Sequence, residues 1–595
     1  VAVPDLGANL WEMFVRAARR GGDRPFLARR EQGSWRRRTW NEIREEALAL
    51  AACLAAHGVR PGDRVAIVAE NRPEWCAADL ACLALGAVTV PAYTTWTAED
   101  HAYLLDHAEA VAVIVGGGTI PDRIGAALSA RPPRRLVVAL ERRPDVPTGT
   151  PLLEWYQALA LGRNTGAELA GDRASSDDLA CFIYTSGTGG RPKAVMLTHG
   201  SIMANLEGAW GLLEEVGIGD DVFLSFLPLS HAYEHTVGQF LPIAMGAEIW
   251  YADGVERLSH DLLDARPTIF TCVPRLLEVM RQRILAQVDR QGGVRAKLFR
   301  ATLTLGLRRL ERGELDPALA LLDRLLDRLV RSQVRARFGG RLKAMVSGGA
   351  PLNPEVGRFF LALGVPLLQG YGQTEASPVI SANRPRRNKV ETVGPPLDGV
   401  EVRIAEDGEI LVRGKLVMKG YFKDPEATAA TLRDGWLHTG DIGRIDGEGF
   451  LSITDRKKDI IVLSGGDNVA PQKVESVLAL EPEIGQVLVY GDRRPHLVAL
   501  VVPSKELLEA AAVRAGVPMG SPQLATDPEL KRVVEEAVGR ANTKLSSIER
   551  IRRVELVTEP FTVENGLLTP TLKLRRGRIV ERHGIAIERL YAGSA

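Results

Sequence analysis

The sequence predicts an α/β protein: a large body of layered α/β subdomains, followed by a small, mobile C-terminal α/β domain. Three observations carry this. The chain has 595 residues, too long for a single core, which stops growing near about 250–300 residues. From the start to about residue 180, helical and strand patterns alternate, as they do in parallel layers. From Gly399 the pattern turns to hairpins, and a further α/β stretch runs from about Lys458. The expected division is residues 1–457 and 458–595.

Element by element, Arg44 to His57 reads as an amphipathic helix ended by Gly58. Asp63 to Ala69 (DRVAIVA) reads as a buried strand, Trp75 to Leu85 as a second helix and Val88 to Pro91 as the next strand. Val111 to Val115 and Leu136 to Leu140 are further short apolar runs, and Arg142 to Thr150 is a loop. VEVRIAEDGEILVRG alternates about Asp407-Gly408, the pattern of a hairpin.

Residues 281–343 differ in texture. They hold 16 Lys/Arg against 6 Asp/Glu, a net of +10, with leucines at helical spacing. The favoured reading is a solvated helical hairpin. The alternative is a face for anionic lipid headgroups, with Arg308, Arg309, Arg312, Arg324, Arg328 and Arg331 as its cations. That alternative predicts peripheral, salt-reversible binding without insertion.

Composition narrows the class. Hydrophobic residues make up 45% and charged residues 25%, an ordinary globular balance. A formal net charge of +1 gives no global electrostatic case for nucleic acid. Cys53, Cys76, Cys82, Cys181 and Cys272 form no metal-ligand pattern, and free thiols in a reducing cytosol are expected. The opening VAVPDLGANLWEMFVRAARR does not read as a secretory signal, and no stretch approaches the roughly 20 apolar residues of a membrane span. A cytoplasmic protein is expected, with peripheral contact at the inner membrane face left open by the basic insert. A homodimer is also left open.

The most informative segment is Tyr184 to Thr198, YTSGTGGRPKAVMLT. An apolar strand runs into Thr185, Ser186, Gly187, Thr188, Gly189 and Gly190, followed by Lys193, and a helix opens near His199. Small residues let backbone N–H groups approach a polyphosphate, hydroxyls add donors, and lysine adds a point charge. Pro192 before Lys193 rules out the Walker pattern. On the glycines alone, phosphate binding and a plain flexible turn stand level.

This segment resembles the signature loop of the AMP-forming adenylating superfamily, usually YTSGTTGxPKG. That superfamily comprises acyl-CoA synthetases, luciferases and peptide-synthetase adenylation domains. Gly189 stands for a threonine and Ala194 for a glycine, which predicts altered β/γ-phosphate contacts without loss of function. Five further motifs follow in the family's order: FLPLSHAYEH, SGGAPL, GYGQTE, WLHTGD with DRKKD, and TPTLKLR. The wording PLSHAYEH, LSGGDNVAPQKVE and LTPTLKLRR is most similar to long-chain fatty acyl-CoA synthetases.

The resemblance implies roles. His231 would border the acyl pocket, and Gly348, Gly349 and Ala350 would form the turn beneath the adenine. Gly370, Tyr371, Gly372 and Gln373 would hold the adenylate, with Tyr371 stacked on the base; Thr374 would meet the α-phosphate and Glu375 would hold Mg²⁺. Asp441 would reach the ribose hydroxyls, Arg456 the ribose or a phosphate, and Lys458 would be the hinge. Lys193 and Lys573 would assist adenylation, and Ser464, Gly465 and Gly466 would line the path of pantetheine. Read without the motifs, Glu375 is a buried carboxylate, Lys458 and Lys573 are surface lysines, and His231 and His235 are pocket wall or surface.

The implied activity is ATP-dependent long-chain fatty acid:CoA ligation through an acyl-adenylate, with ATP, fatty acid and coenzyme A as substrates and Mg²⁺ as cofactor. Two competing readings remain. One is a fatty acyl-AMP ligase delivering to a carrier protein. The compact stretch between Glu375 and Asp441 argues against the insertion such enzymes carry. The other is a catalytically dead nucleotide-binding or lipid-surface protein. The joint presence of Lys193, Glu375, Asp441, Arg456 and Lys573 argues against that.

Overall fold

A computed structural model describes residues 5–165, 169, 171–185, 191–569 and 572–592. Two eight-stranded sheets dominate it. The first orders its strands Val379–Ala382, Leu367–Gly372, Ala344–Ser347, Ile269–Cys272, Val222–Ser225, Glu248–Tyr251, Pro25–Glu31 and Ser34–Thr39, parallel except at its two edges. The second runs Gly420–Tyr421, Lys193–Thr198, Leu179–Thr185, Val88–Pro91, Arg64–Val68, Ala110–Val115, Leu136–Ala139 and Leu152–Glu154. Its parallel part is the alternating pattern read from the first third of the sequence.

Helix Pro73–Leu85 shows why this body needs so apolar a sequence. All thirteen of its residues are buried, and it touches Pro25–Glu31 of one sheet and Arg64–Val68 of the other. A helix wrapped on all sides cannot show an amphipathic stripe. Of its two buried carboxylates, Glu74 and Asp79, Asp79 accepts from Gln239 Nε2 at 2.7 Å and pairs with His235 Nε2 at 2.9 Å. The sequence reading left His235 as pocket wall or surface. It lies instead inside a wide helical turn, Glu234–Phe240, and its ring is spent on Asp79.

A third, antiparallel sheet carries the hairpin expected at Asp407-Gly408: Glu401–Ile404 pairs with Glu409–Arg413 in the register Ile404↔Ile410. Strands Trp436–Ile445 and Leu451–Arg456 complete the part that reaches the cleft. From Ile461 onward the buried side chains, among them Val474, Leu488, Leu500, Val534 and Ile579, form a core of their own. It is built on strands Ile484–Tyr490, Leu497–Pro503 and Ile551–Leu556. Polar contacts tie this unit to the body: Arg275 Nη2 donates to Gly485 O at 2.6 Å and Asn353 Nδ2 to Ser476 O at 2.9 Å.

The basic insert is helical: Pro274–Gln291, Gly293–Arg312, Pro317–Leu326 and Ser332–Arg337. One of its expected surface cations is misplaced by the sequence reading. Arg331 is fully buried; it donates to Ala362 O at 2.8 Å and pairs with Asp323 at 2.6 Å. Arg309 reaches the same carboxylate at 3.1 Å. Helical spacing alone cannot separate an arginine that pins a helix down from one that faces water.

Candidate active site

One cleft of about 2800 Å³ collects side chains from both large sheets, the third sheet and the C-terminal unit. One end of it, where the sequence reading expects phosphates, is formed by two antiparallel strands. Strand Leu179–Thr185 pairs antiparallel with Lys193–Thr198, with Thr185 opposite Lys193. Ser186, Gly187, Thr188, Gly189 and Gly190 lie outside the described residues. This pair differs from the strand–loop–helix order that the sequence suggested. What the sequence reading lacked is the second strand; the helix begins at His199 as expected, where Thr198 Oγ1 accepts from Ser201 N at 3.0 Å. Lys193 stands half-exposed at the rim, 3.4 Å from Asp424 and 5.0 Å from the centre of the Tyr421 ring.

Another wall, where the sequence reading expects the nucleotide, is built on strand Leu367–Gly372 and the 3₁₀ turn Thr374–Ala376. A Cβ on Gly372 would fall 1.8 Å from the Pro378 carbonyl, so only glycine lets the chain turn there. Gly370, Tyr371, Gly372, Gln373, Thr374 and Glu375 all line the cleft. Opposite them, the turn of Gly348, Gly349 and Ala350 leaves strand Ala344–Ser347 with Gly349 at φ +81°. Gly348 gives room to the Tyr233 ring, whose hydroxyl donates to Val346 O at 3.0 Å.

Asp441 is buried at the end nearest the C-terminal unit. It accepts from Tyr371 Oη at 2.6 Å and from Arg456 Nε at 3.0 Å. Burial, with Asp441 beside it, pushes the Tyr371 phenol well up, so it stays a donor. Glu375 is half-buried, and one of its oxygens accepts from Tyr421 Oη at 2.8 Å.

Lys573 comes from the C-terminal unit into this same space. Water in the cleft reaches it, yet protein walls it in; that enclosure, with Arg456 near, lowers its pKa to about 8, and Asp441 opposes the shift. It also faces His231. Enclosure first, then Lys573, holds that imidazole down at about 3, so it is neutral. His231 Nδ1 accepts from Tyr233 N at 3.2 Å, which leaves the ring proton on Nε2.

Not every expected residue gathers here. Ser464, Gly465 and Gly466 are exposed and outside the cleft lining. They lie on the same unit as Lys573, so that unit offers the lysine and turns the glycines outward. Lys458, by contrast, does line the cleft, exposed in the turn after strand Leu451–Arg456.

The sequence reading missed Tyr421. Strand Gly420–Tyr421 pairs with Lys193–Thr198, Tyr421 opposite Val195. Tyr421 therefore sits beneath Lys193 and against Glu375 only through a pairing distant in sequence, which no local pattern announces. Tyr421→Phe is expected to lower adenylation about three- to tenfold and raise the Mg²⁺ concentration for half-maximal rate, since a hydrogen bond to a charged group is worth about 1.5–3 kcal/mol, part of which water replaces. Initial rates across a Mg²⁺ titration check this.

The remaining limb of the cleft is apolar. Helix His199–Val216 turns Asn205, Leu206, Ala209, Leu212, Leu213 and Val216 toward it, one face spanning about 16 Å at 1.5 Å per residue. Val237, Leu241 and Val346 also line it.

A cleft pairing nucleotide-sized polar turns with a long apolar limb has a match among known proteins. The sequence model of the AMP-binding enzyme family covers residues 14–422. The chain belongs to that family. A second model, the C-terminal domain of AMP-binding enzymes, covers residues 458–595 of this AMP-binding enzyme. Among curated proteins it is 35% identical to the peroxisomal long chain acyl-CoA synthetase 6 of Arabidopsis thaliana, covering 99% of this chain and 87% of that one. It is 33% identical to a long-chain-fatty-acid–CoA ligase of Mycobacterium bovis, over 98% of this chain and 97% of that one. Among solved structures, the adenylation domain of a carboxylate reductase from Mycobacterium chelonae superposes with a TM-score of 0.80 at 26% identity, covering 99% of this chain and 92% of that one.

Proposed function

We propose that this AMP-binding enzyme is an ATP-dependent long-chain fatty acid:CoA ligase. The observation that carries the reading is the single cleft in which the apolar face of helix His199–Val216 leads to Glu375, Asp441 and Lys573. The names of the curated relatives agree with it.

A carboxylate is a poor acyl donor because its leaving group would be oxide. In the first step its oxygen attacks the α-phosphorus of ATP, pyrophosphate departs, and an acyl-adenylate forms. The protein's part is positioning and charge neutralisation. Tyr371 would lie against the adenine and Asp441 would exchange its hold on Tyr371 and Arg456 for the ribose hydroxyls. Thr374 would donate to the α-phosphate, and Lys193 with the Thr185–Gly190 segment would take the β- and γ-phosphates. Lys573 would meet the charge shared between carboxylate and phosphate oxygens. In the second step the thiol of coenzyme A attacks the acyl carbonyl and AMP leaves.

Glu375 suits Mg²⁺ brought in by the nucleotide. One oxygen is held by Tyr421, the other is unpaired among the described residues, and no cluster of three His, Cys, Asp or Glu side chains gathers there among them. Magnesium commonly takes one or two carboxylates and fills its shell with phosphate and water. When bound it would neutralise charge on the phosphates.

Lys573 and Ser464–Gly466 cannot occupy one place together. Rotation of residues 458–595 about Lys458 between the steps would withdraw the lysine and bring in the glycine loop, whose lack of side chains suits a narrow thiol path.

Two experiments test the reading. With ATP and a long-chain acid, the enzyme should give acyl-CoA and AMP in equal amounts when coenzyme A is present; accumulation of acyl-adenylate regardless of coenzyme A would point to a carrier-protein ligase. Ala209→Trp should obstruct the apolar limb midway. We expect kcat/KM for long-chain acids to fall by about two orders of magnitude, by loss of several buried methylenes at about 0.8 kcal/mol each. A medium-chain acid should be nearly unaffected, as a chain-length series will reveal.

A further inference from the structure

The insert holds a surface that the ligase reaction does not use. Leu321, Leu325 and Leu329 recur at every fourth position along Pro317–Leu326 and the wide turn Asp327–Arg331, with relative exposures of 70%, 53% and 46%. Leu322 and, on the neighbouring helix, Leu310 are each 42% exposed. Apolar side chains in the open are unremarkable when scattered, but a row of leucines on one helix face marks a contact surface. The helix beneath is pinned. Leu326 and Arg331 are buried under it, and Arg331 is bonded to Asp323, Thr302 O and Ala362 O. The leucines are therefore presented by a fixed helix and have no core position to turn into.

The charges beside them identify what the surface meets. Arg324 and Arg328 form the adjacent row of the same helix, and Arg308 and Arg312 stand exposed on the helix that carries Leu310. These four make no ion pair among the described residues. The acids of the insert are Asp289, paired with Arg300; Asp323 and Asp327, paired with Arg331 and Arg335; and Glu311, Glu314 and Asp316 in and beside the loop joining the two helices. A second copy of this face would set arginines against arginines. An anionic bilayer offers both a phosphate layer for the guanidinium groups and hydrocarbon below it for the leucines.

We propose that the face of Pro317–Arg331, with Leu310, docks on anionic lipid bilayers, its leucines entering the headgroup–acyl boundary and its arginines meeting lipid phosphates. This adds an inserted, salt-resistant component to the purely electrostatic contact that charge alone suggests.

The test is flotation of the full chain with vesicles of phosphatidylcholine alone or mixed with phosphatidylglycerol, at low and high salt. Two variants serve: Leu321→Ser/Leu325→Ser/Leu329→Ser, and Arg308→Gln/Arg312→Gln/Arg324→Gln/Arg328→Gln. Wild type should float with the anionic vesicles and keep a measurable bound fraction at high salt. The leucine variant should bind at least tenfold less at both salts, and the arginine variant at least tenfold less at low salt. Both should release pyrophosphate from ATP with a soluble medium-chain acid at the wild-type rate in vesicle-free buffer, which shows that they fold. The proposal is overturned if wild type does not float, or if the leucine variant floats as well as wild type. It is also overturned if the leucine variant merely converts a wild-type dimer to monomer without altering flotation.

Discussion

Lys573→Ala is expected to abolish acyl-adenylate formation while leaving thioester formation from a supplied acyl-adenylate close to the wild-type rate. The C-terminal unit brings this lysine close to His231, Arg456 and Asp441. There it can meet negative charge that develops only as carboxylate and α-phosphate join. Loss of a preorganised charge at such a point costs about two to three orders of magnitude or more. The second step needs the lysine's space rather than its charge, so the alanine should be tolerated there. Equal loss in both half-reactions would remove the assigned role.

The same residue gives a pH signature. Its ammonium must be protonated to act, and its pKa lies near 8 instead of the ordinary 10.5. As pH rises through about 8, the charged fraction falls, so kcat/KM for adenylation should decline over the range where an ordinary lysine stays charged. With ATP as the varied substrate, that parameter reports the enzyme before nucleotide binds, so phosphates that would raise the value do not obscure it. The thioester step from supplied adenylate should lack this limb. A half-reaction pH series separates the two.

Glu375→Gln is the second large effect. Glutamine keeps the size and can still accept from Tyr421 Oη, so the turn Thr374–Ala376 should stand. What is lost is one negative charge in the cleft, where the proposed reaction brings Mg²⁺ and the phosphates. We expect adenylation to slow by two to three orders of magnitude and the Mg²⁺ requirement to rise, in keeping with several kcal/mol for charge stabilisation at a transferring phosphoryl group. An unchanged rate at saturating Mg²⁺ would make Glu375 a structural residue. Comparison with Tyr421→Phe, which keeps the charge and loosens it, tells apart loss of a ligand and loss of its orientation.

Much of this was legible because it is local. Val88–Pro91 and the hairpin at Asp407-Gly408 follow from period and turn chemistry within a few residues. Thr374, Glu375, Asp441, Arg456 and Lys573 were found by motif, and the fold brings them to one cleft. What escaped depends on distant pairing or on burial. Tyr421 reaches Glu375 through its strand pairing with Lys193–Thr198. Strand Lys193–Thr198 itself, just ahead of the helix at His199, was not read, because its antiparallel pairing with Leu179–Thr185 and Gly420–Tyr421 is what defines it. Arg331 shares helical spacing with Arg324 and Arg328 yet points inward, because Asp323 and the Ala362 carbonyl wait there. The leucines were read only as helical spacing; that one row of them is exposed became visible with the structure.

The most direct test follows the atoms of the first step. The enzyme is given ATP, coenzyme A and a long-chain fatty acid whose carboxylate carries heavy oxygen, and the products are weighed by mass spectrometry. Attack of that carboxylate on the α-phosphorus predicts one labelled oxygen in AMP, none in pyrophosphate, and acyl-CoA equal in amount to AMP. Label in inorganic phosphate with ADP as the nucleotide product, or acyl-CoA formed without labelled AMP, would contradict the account.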